Sequence, residues 1–218
     1  MTLALFDLDN TLLEGDSEVF WMEYLLNMGM VHNRSLDQMN AYHKQYEEGT
    51  LNIREYQSFV LAPLAKYDIT ILEAHRTKFL SEKIWHRIRK WMLPRLEWHR
   101  NQQHTLLLIT ATNDFITTPI ANYLEIPHLL ASQAEIIKGS FTGKISGIPC
   151  FRDGKVAKLK EWLSLHDEDT TGSWFYSDSR NDIPLLQEVE HPVAVTPDPL
   201  LKDFAEKQKW MIMEMPST

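Results

Sequence analysis

The feature that most constrains this chain is the place where its first apolar run stops. Thr2-Leu3-Ala4-Leu5-Phe6 gives way at once to Asp7 and Asp9. A strand buried on both faces of a parallel sheet reads as such a continuous apolar run. Polar groups at its carboxyl end lie where open α/β sheets bind their ligands. Leu106-Leu107-Leu108-Ile109 repeats the pattern and ends in Thr110-Ala111-Thr112-Asn113, and Trp174-Phe175-Tyr176 ends in Ser177-Asp178. Pro192-Val193-Ala194-Val195 is a further run, and His128 to Ala131 a weaker one. Helical patterns fall between them, over 116–124, 156–165 and 200–209. This alternation predicts an α/β fold, a Rossmann-like parallel sheet with helices on both faces.

Residues 17–92 break the rhythm. Val19, Phe20, Met22 and Tyr24-Leu25-Leu26, then Tyr56, Phe59, Val60 and Leu64, recur at helical spacing, with Gly29, Gly49 and Pro63 as punctuation. The expected organisation is a catalytic core of residues 1–16 and 93–218, with a helical module of residues 17–92 inserted after the first strand. Between Ala134 and Phe151, the glycine-bearing turn in Glu135-Ile136-Ile137-Lys138-Gly139-Ser140-Phe141 predicts a small antiparallel hairpin added to the sheet. Lys83 to Arg100 alternates basic residues with Trp85, Trp91 and Trp98. Because Ile84, Ile88, Trp91 and Met92 keep helical spacing, the segment is expected to be an amphipathic helix with a solvated basic face, not a nucleic-acid or membrane patch.

Composition narrows the function. A net charge of −8 argues against a general nucleic-acid binder, which needs a basic surface to displace counterions. No apolar run approaches the ~20 residues of a membrane span, and acidic residues interrupt the N-terminus before a signal-like apolar region can form. The single cysteine, Cys150, has no partner for an internal disulfide and suits a reducing, cytoplasmic setting. The histidines, among them His43, His86 and His104, have no metal-ligand spacing.

The strand ends carry the chemistry. Asp7 and Asp9, one residue apart on a strand leaving its sheet, can face one cavity, where Asp178 and Asp182 add to them. Four converging carboxylates call for a cation, and an oxygen-only donor set suits Mg²⁺. Thr110, with a hydroxyl and a backbone N–H, and Lys155, at the first turn of an expected helix, complement a phosphate. In this reading Asp7 attacks phosphorus and Asp9 serves as acid and base. Plainer readings exist for each residue. Asp-x-Asp can be a solvated strand end, Thr110 and Thr112 can cap a helix, Lys158 and Lys160 compete with Lys155, and Asp182 can cap the helix near Ile183-Pro184.

Taken in order, Asp7-Leu8-Asp9-Asn10-Thr11, Thr110, Lys155 and Asp178 to Asp182 resemble the four motifs of the haloacid-dehalogenase-like (HAD) superfamily. The likeness is greatest to its phosphoserine-phosphatase-like branch, and the wording of Leu12 to Ser17, Pro149-Cys150-Phe151 and Ser177-Asp178-Ser179 is closest to histidinol-phosphatase-like members. The resemblance implies a Mg²⁺-dependent phosphatase. Asp7 would be nucleophile and metal ligand, and Asp9 the acid/base, with its backbone carbonyl on the metal. Thr110, Ala111, Thr112 and Lys155 would lie around the phosphate, with Asn181 near the substrate, Asp178 on the metal and Asp182 in or behind the metal shell. It also implies a helical cap that selects a small phosphorylated metabolite. L-Histidinol phosphate is favoured over O-phosphoserine. Asp16 or Glu18 would meet an ammonium, aromatic residues such as Trp21, Tyr42 and Tyr46 an imidazole, and Arg54 a carboxylate if there were one. Transfer of the phosphoryl group to another hydroxyl, and a sensor without turnover, stand as alternatives.

Overall fold

The computed structural model describes residues 2–216. Strand β1 (Leu3–Phe6) lies at the centre of a seven-stranded sheet. Helices α1 (Ser17–Asn27), α2 (Arg34–Glu48), α3 (Ile53–Leu61), α4 (Ile69–Phe79) and α5 (Leu93–Asn101) follow before the chain returns to the sheet. Then come β2 (Thr105–Asn113), α6 (Asp114–Tyr123), β3 (His128–Ile137), β4 (Ser140–Ser146), α7 (Asp153–His166), β5 (Trp174–Ser177), α8 (Ile183–Leu186), β6 (His191–Val195), α9 (Pro199–Gln208) and β7 (Met211–Met213). The spatial order is β4-β3-β2-β1-β5-β6-β7. Every pairing is parallel except β3 with β4, the expected hairpin. Lys138 and Gly139 turn it with φ of 53° and 79°, the left-handed pair that matches strand twist in a two-residue loop.

Side chains alternate across β1, and both faces are apolar for that reason. Ala4 and Phe6 enter one core with Leu106, Leu108, Tyr176 and residues of α1, α3, α4, α5 and α6. Leu3 and Leu5 enter the other with Leu107, Ile109, Phe175 and residues of α7, α8 and α9. Each Leu, Ile or Phe among them contributes about 1.5–3 kcal/mol by burial. Leu5→Ala, at a wholly buried position, is expected to destabilise by about 2–5 kcal/mol.

One expectation needs correction, and two features went unread. The segment 83–100 is not one helix: Leu80–Ile84 is a single π-helical turn, Trp85–Arg87 a 3₁₀ turn, and α5 begins only at Leu93. The cause is backbone pairing with the loop after β1. Arg89 N–H donates to the Leu12 carbonyl at 2.8 Å, Glu14 N–H to the Arg87 carbonyl at 2.9 Å, and Ile88 bridges Leu13. Helical spacing in 84–92 therefore recorded burial without helix. The second strand extends through Thr110 to Asn113, with an irregularity in its pairing to β3 between Ile109 and Asn113. Strand β7, short and at the edge, carries no apolar run long enough to announce it.

Candidate active site

The site is assembled at the carboxyl edge of β1, β2 and β5. Asp7 N–H still donates to the Tyr176 carbonyl at 2.9 Å, so this carboxylate is fixed by sheet pairing rather than by a loop. After it the chain turns back on itself: Thr11, Leu12 and Leu13 N–H all reach the Leu8 carbonyl, and Asn10, at φ 55°, accepts from Gly15 N–H. The turn aims Thr11 Oγ1 at Asp178 Oδ1, 3.2 Å away. The Asp9 carboxylate takes Ser17 N–H on Oδ1 and Thr112 Oγ1 on Oδ2, each at 2.7 Å, and so joins the start of α1 to the end of β2.

Lys155 is the lysine that enters the site. Its ammonium, on a 2% exposed residue, donates to Asp7 Oδ1 at 2.8 Å and Asp182 Oδ2 at 2.7 Å. Lys160 instead pairs with Glu188 at the surface. The first turn of α7 can deliver Lys155 because Gly154 precedes it: a Cβ at Gly154 would stand 2.0 Å from the Pro149 carbonyl oxygen. Asp182 also accepts from Ser177 Oγ at 2.7 Å, and its side chain makes no capping bond to α8.

Thr110 Oγ1 accepts from Thr112 N–H at 3.2 Å, and the Ala111 carbonyl accepts from Gln57 Nε2 at 3.1 Å. The cap of α6 is Asn113, whose side chain accepts from Ile116 N–H; the two threonines face the cavity instead. Asn181 Oδ1 accepts from Arg152 Nε at 2.8 Å, while its buried Nδ2 stands near the Tyr46 hydroxyl without reaching hydrogen-bond geometry.

A cavity of about 90 Å³ brings together Asp7, Asp9, Thr110, Ala111, Thr112, Lys155, Asp178, Asn181 and Asp182. Its other wall, from the helices between β1 and β2, supplies Met39, Tyr42, His43, Tyr46 and Tyr56. Burial raises Asp7 to about 7 against the pull of Lys155, with Asp182 and Asp9 adding to the rise. Burial and then Asp16 raise Asp9 to about 7, a value suited to passing a proton in either direction near neutrality. Burial, followed by Asp7 and Asp182, pushes Asp178 well above the usual carboxylate range. Burial opposes the charge on Lys155, but Asp182 and Asp7 outweigh it and raise the ammonium's pKa. These shifts describe an excess of carboxylate, and a cation fits it. Among the described residues no three His, Cys, Asp or Glu side chains form a complete metal cage. Mg²⁺ commonly needs only one or two carboxylates, keeping waters and substrate oxygens for the rest of its shell.

The sequence offered Glu18 only as a partner for an ammonium, and gave Gln57, Arg152 and His43 no role in the site. Glu18 is buried at 2% exposure, where Asn113 N–H and Nδ2 donate to it at 3.1 and 2.7 Å and Gln57 Nε2 at 3.3 Å. It lines the cavity chiefly as a brace between α1, α3 and β2. The visible signal was a polar residue next to apolar ones on each helix, Glu18 beside Val19 and Gln57 beside Tyr56. Arg152 and His43 gave no signal. Two expected contacts fail. Trp21 is packed in the core against Tyr24 and Phe79. Arg54 donates to the Gly147 carbonyl and does not line the cavity.

Comparison with known proteins agrees with this fold. Residues 4–187 match the family model of haloacid dehalogenase-like hydrolases. The chain belongs to this family. It is 35% identical over 216 residues to a histidinol-phosphatase from Neisseria meningitidis serogroup C, a match covering 97% of each chain. A structure from Bordetella pertussis Tohama I, described as a protein with unknown function, superposes with a TM-score of 0.90 at 34% identity, covering 98% of this chain and 99% of that one. A substrate-bound phosphoserine phosphatase complex superposes with a TM-score of 0.72 at 18% identity, over 98% and 93% of the two chains, and shares the fold. This HAD hydrolase is a phosphatase on a HAD-type α/β fold. Among its described residues no helix is long and apolar enough to cross a membrane.

Proposed function

We propose that this phosphatase hydrolyses a small, amine-bearing phosphomonoester, with L-histidinol phosphate the favoured substrate, through a phosphoryl group carried on Asp7. One observation carries the substrate reading. Asp7, Asp9, Asp16, Glu18, Asp178 and Asp182 line the cavity, and Lys155, already shared by Asp7 and Asp182, is the one lysine or arginine among the described residues that does. Such a chamber accepts a cationic leaving group beside Tyr42, Tyr46, Tyr56 and His43, and offers a free carboxylate no partner. Arg54, the residue suited to the carboxylate of phosphoserine, lies elsewhere. The likeness to the Neisseria histidinol-phosphatase supports the same choice.

In the mechanism a carboxylate oxygen of Asp7 attacks phosphorus as the P–O bond to the substrate breaks, and the leaving oxygen takes a proton from Asp9. Water then attacks the phosphoryl group and gives its proton to Asp9, releasing inorganic phosphate and restoring both carboxyl groups. Lys155 keeps one Asp7 oxygen fixed while the other reacts. Thr110 and Thr112, with the amide of Asn181, bind and orient the phosphoryl oxygens. Asp7, the backbone carbonyl of Asp9 and Asp178 would hold Mg²⁺, with Asp182 supporting the site through Lys155; when bound, the ion supplies neutralising charge. The helices of residues 17–92 act as the cap that excludes water.

The test is phosphate release from a panel of phosphorylated metabolites by wild type, Asp7→Asn and Asp9→Asn with Mg²⁺. The expected outcome is preference for L-histidinol phosphate, one phosphate per substrate, and loss of turnover in both variants. Full activity of Asp7→Asn would sink the mechanism. Preference for O-phosphoserine would sink the substrate assignment, and phosphoryl transfer to added alcohols would sink strict hydrolysis.

A further inference from the structure

The geometry points to Arg152 as a positioning residue for Asn181, one that fixes which end of the Asn181 amide faces the phosphoryl group. A guanidinium has donors and no acceptors, so the atom it meets must be oxygen. Arg152 Nε donates to Asn181 Oδ1 at 2.8 Å, and this contact leaves Nδ2 on the side of the Tyr46 hydroxyl, which with Asn181 lines the cavity. The result is a buried N–H donor with no partner, on a residue only 4% exposed. Such a donor is costly to leave unmatched unless a ligand completes it. Without Arg152 the amide is free to rotate by half a turn and present Oδ1, an acceptor that repels a phosphoryl oxygen.

The arginine is itself held from two sides. Its Nη2 donates to the Gly49 carbonyl at 2.9 Å, at the C-terminus of α2, and its guanidinium carbon lies 5.0 Å from the centre of the Phe151 ring. Nearby, Arg180 Nη2 donates to the Glu47 carbonyl, so two cations meet the carbonyl end of one helix, where the helix dipole favours them. Gly49, at φ 76°, has no Cβ to push them away; a Cβ there would lie 3.3 Å from Arg152 Nη2 and 2.7 Å from Arg180 Nη2. Arg152 therefore keeps its aim on Asn181 while the end of α2 stays seated.

The assignment rests on the reading that Asn181 meets the phosphoryl group, and a double-mutant cycle separates the two. Arg152→Met, Asn181→Ala and the double variant are assayed with Mg²⁺ and para-nitrophenyl phosphate for kcat/KM. The inhibition constant of inorganic phosphate is measured on each. Arg152→Met is expected to lower kcat/KM about 10–100-fold and to weaken phosphate inhibition, as loss of a hydrogen bond to a charged group does. The same substitution made on Asn181→Ala is expected to change kcat/KM by no more than about twofold, because its effect runs through that amide. Undiminished loss from Arg152→Met in the Asn181→Ala background would overturn the positioning role and leave Asn181 its own. No loss in Asn181→Ala alone would overturn the phosphate reading of Asn181, and the Arg152 assignment with it. If Arg152→Met does not fold, judged by thermal unfolding, Arg152→Lys and Arg152→Gln enter the same cycle with the same criteria.

Discussion

Replacing Glu18 by Gln tests the buried brace between α1, α3 and β2. Burial first, then Asp16, raises this carboxyl from 4.5 to about 8, against hydrogen bonds from the Asn113 N–H, the Asn113 amide and the Tyr56 hydroxyl that favour its charge. Between those two values the folded chain holds a proton that the unfolded chain has released. Stability linked to Glu18 is therefore fully present below 4.5 and is lost as pH rises through about 8. One proton corresponds to about 1.4 kcal/mol per pH unit, so wild type is expected to lose about 2–3 kcal/mol from this group between pH 5.5 and 7.5. Gln keeps an acceptor for Asn113 and Gln57 and has nothing to ionise. Urea unfolding of both proteins at pH 5.5, 6.5 and 7.5 measures the difference directly, because shifts at other carboxyl groups cancel between them. The gap should move by about 2–3 kcal/mol in favour of Glu18→Gln as pH rises. A gap constant within about 0.5 kcal/mol would refute the reasoning, showing that the three donors keep Glu18 ionised throughout.

Three further outcomes are expected. Lys155→Met leaves Asp7 and Asp182 buried without their shared cation, and urea unfolding of the metal-free protein should show a loss of about 3–5 kcal/mol together with loss of turnover. Arg54→Ala, which removes a contact to Gly147 outside the cavity, should leave KM for L-histidinol phosphate within about twofold of wild type; a larger rise would place Arg54 in substrate binding. Asp16→Asn should raise KM for L-histidinol phosphate by about tenfold more than KM for para-nitrophenyl phosphate, which has no amine for that carboxylate to meet; equal effects would reduce Asp16 to its role as the N-cap of α1.

The central sheet was readable because buried parallel strands leave unbroken apolar runs, and β1, β2 and β5 each end in the residues that meet in the cavity. Asp7, Asp9, Thr110 and Asp178 follow from that rule, and Lys155 from its place at the first turn of an expected helix. The inserted helices were harder to read, since an apolar position at helical spacing can face the core or the cavity. Tyr56 lines the cavity while Trp21 lies in the core, and nothing in their neighbours separates them. The break at Ile88 was invisible for a related reason: its backbone pairs with Leu13, a residue remote in sequence. Arg152 was hidden because its partners, Asn181 and Gly49, are joined only by the tertiary fold.

The central place of β1 has a consequence for how the chain acquires activity. During synthesis the strand that leads into Asp7 emerges before its neighbours β2 and β5, whose registers pair Phe6 with Leu108 and with Tyr176. The five helices between β1 and β2 emerge in the interval, so this short apolar strand must wait unpaired while local structure forms around it. Closing contacts so distant in sequence slows folding. The carboxylates of Asp7 and Asp9 sit at the exposed end of that waiting strand, where charge discourages pairing with another chain. The acids to which the proposed chemistry is assigned would thus also discourage such pairing, and a ribosome-bound chain released before Asp178 has emerged is expected to contain Asp7 and show no phosphatase activity.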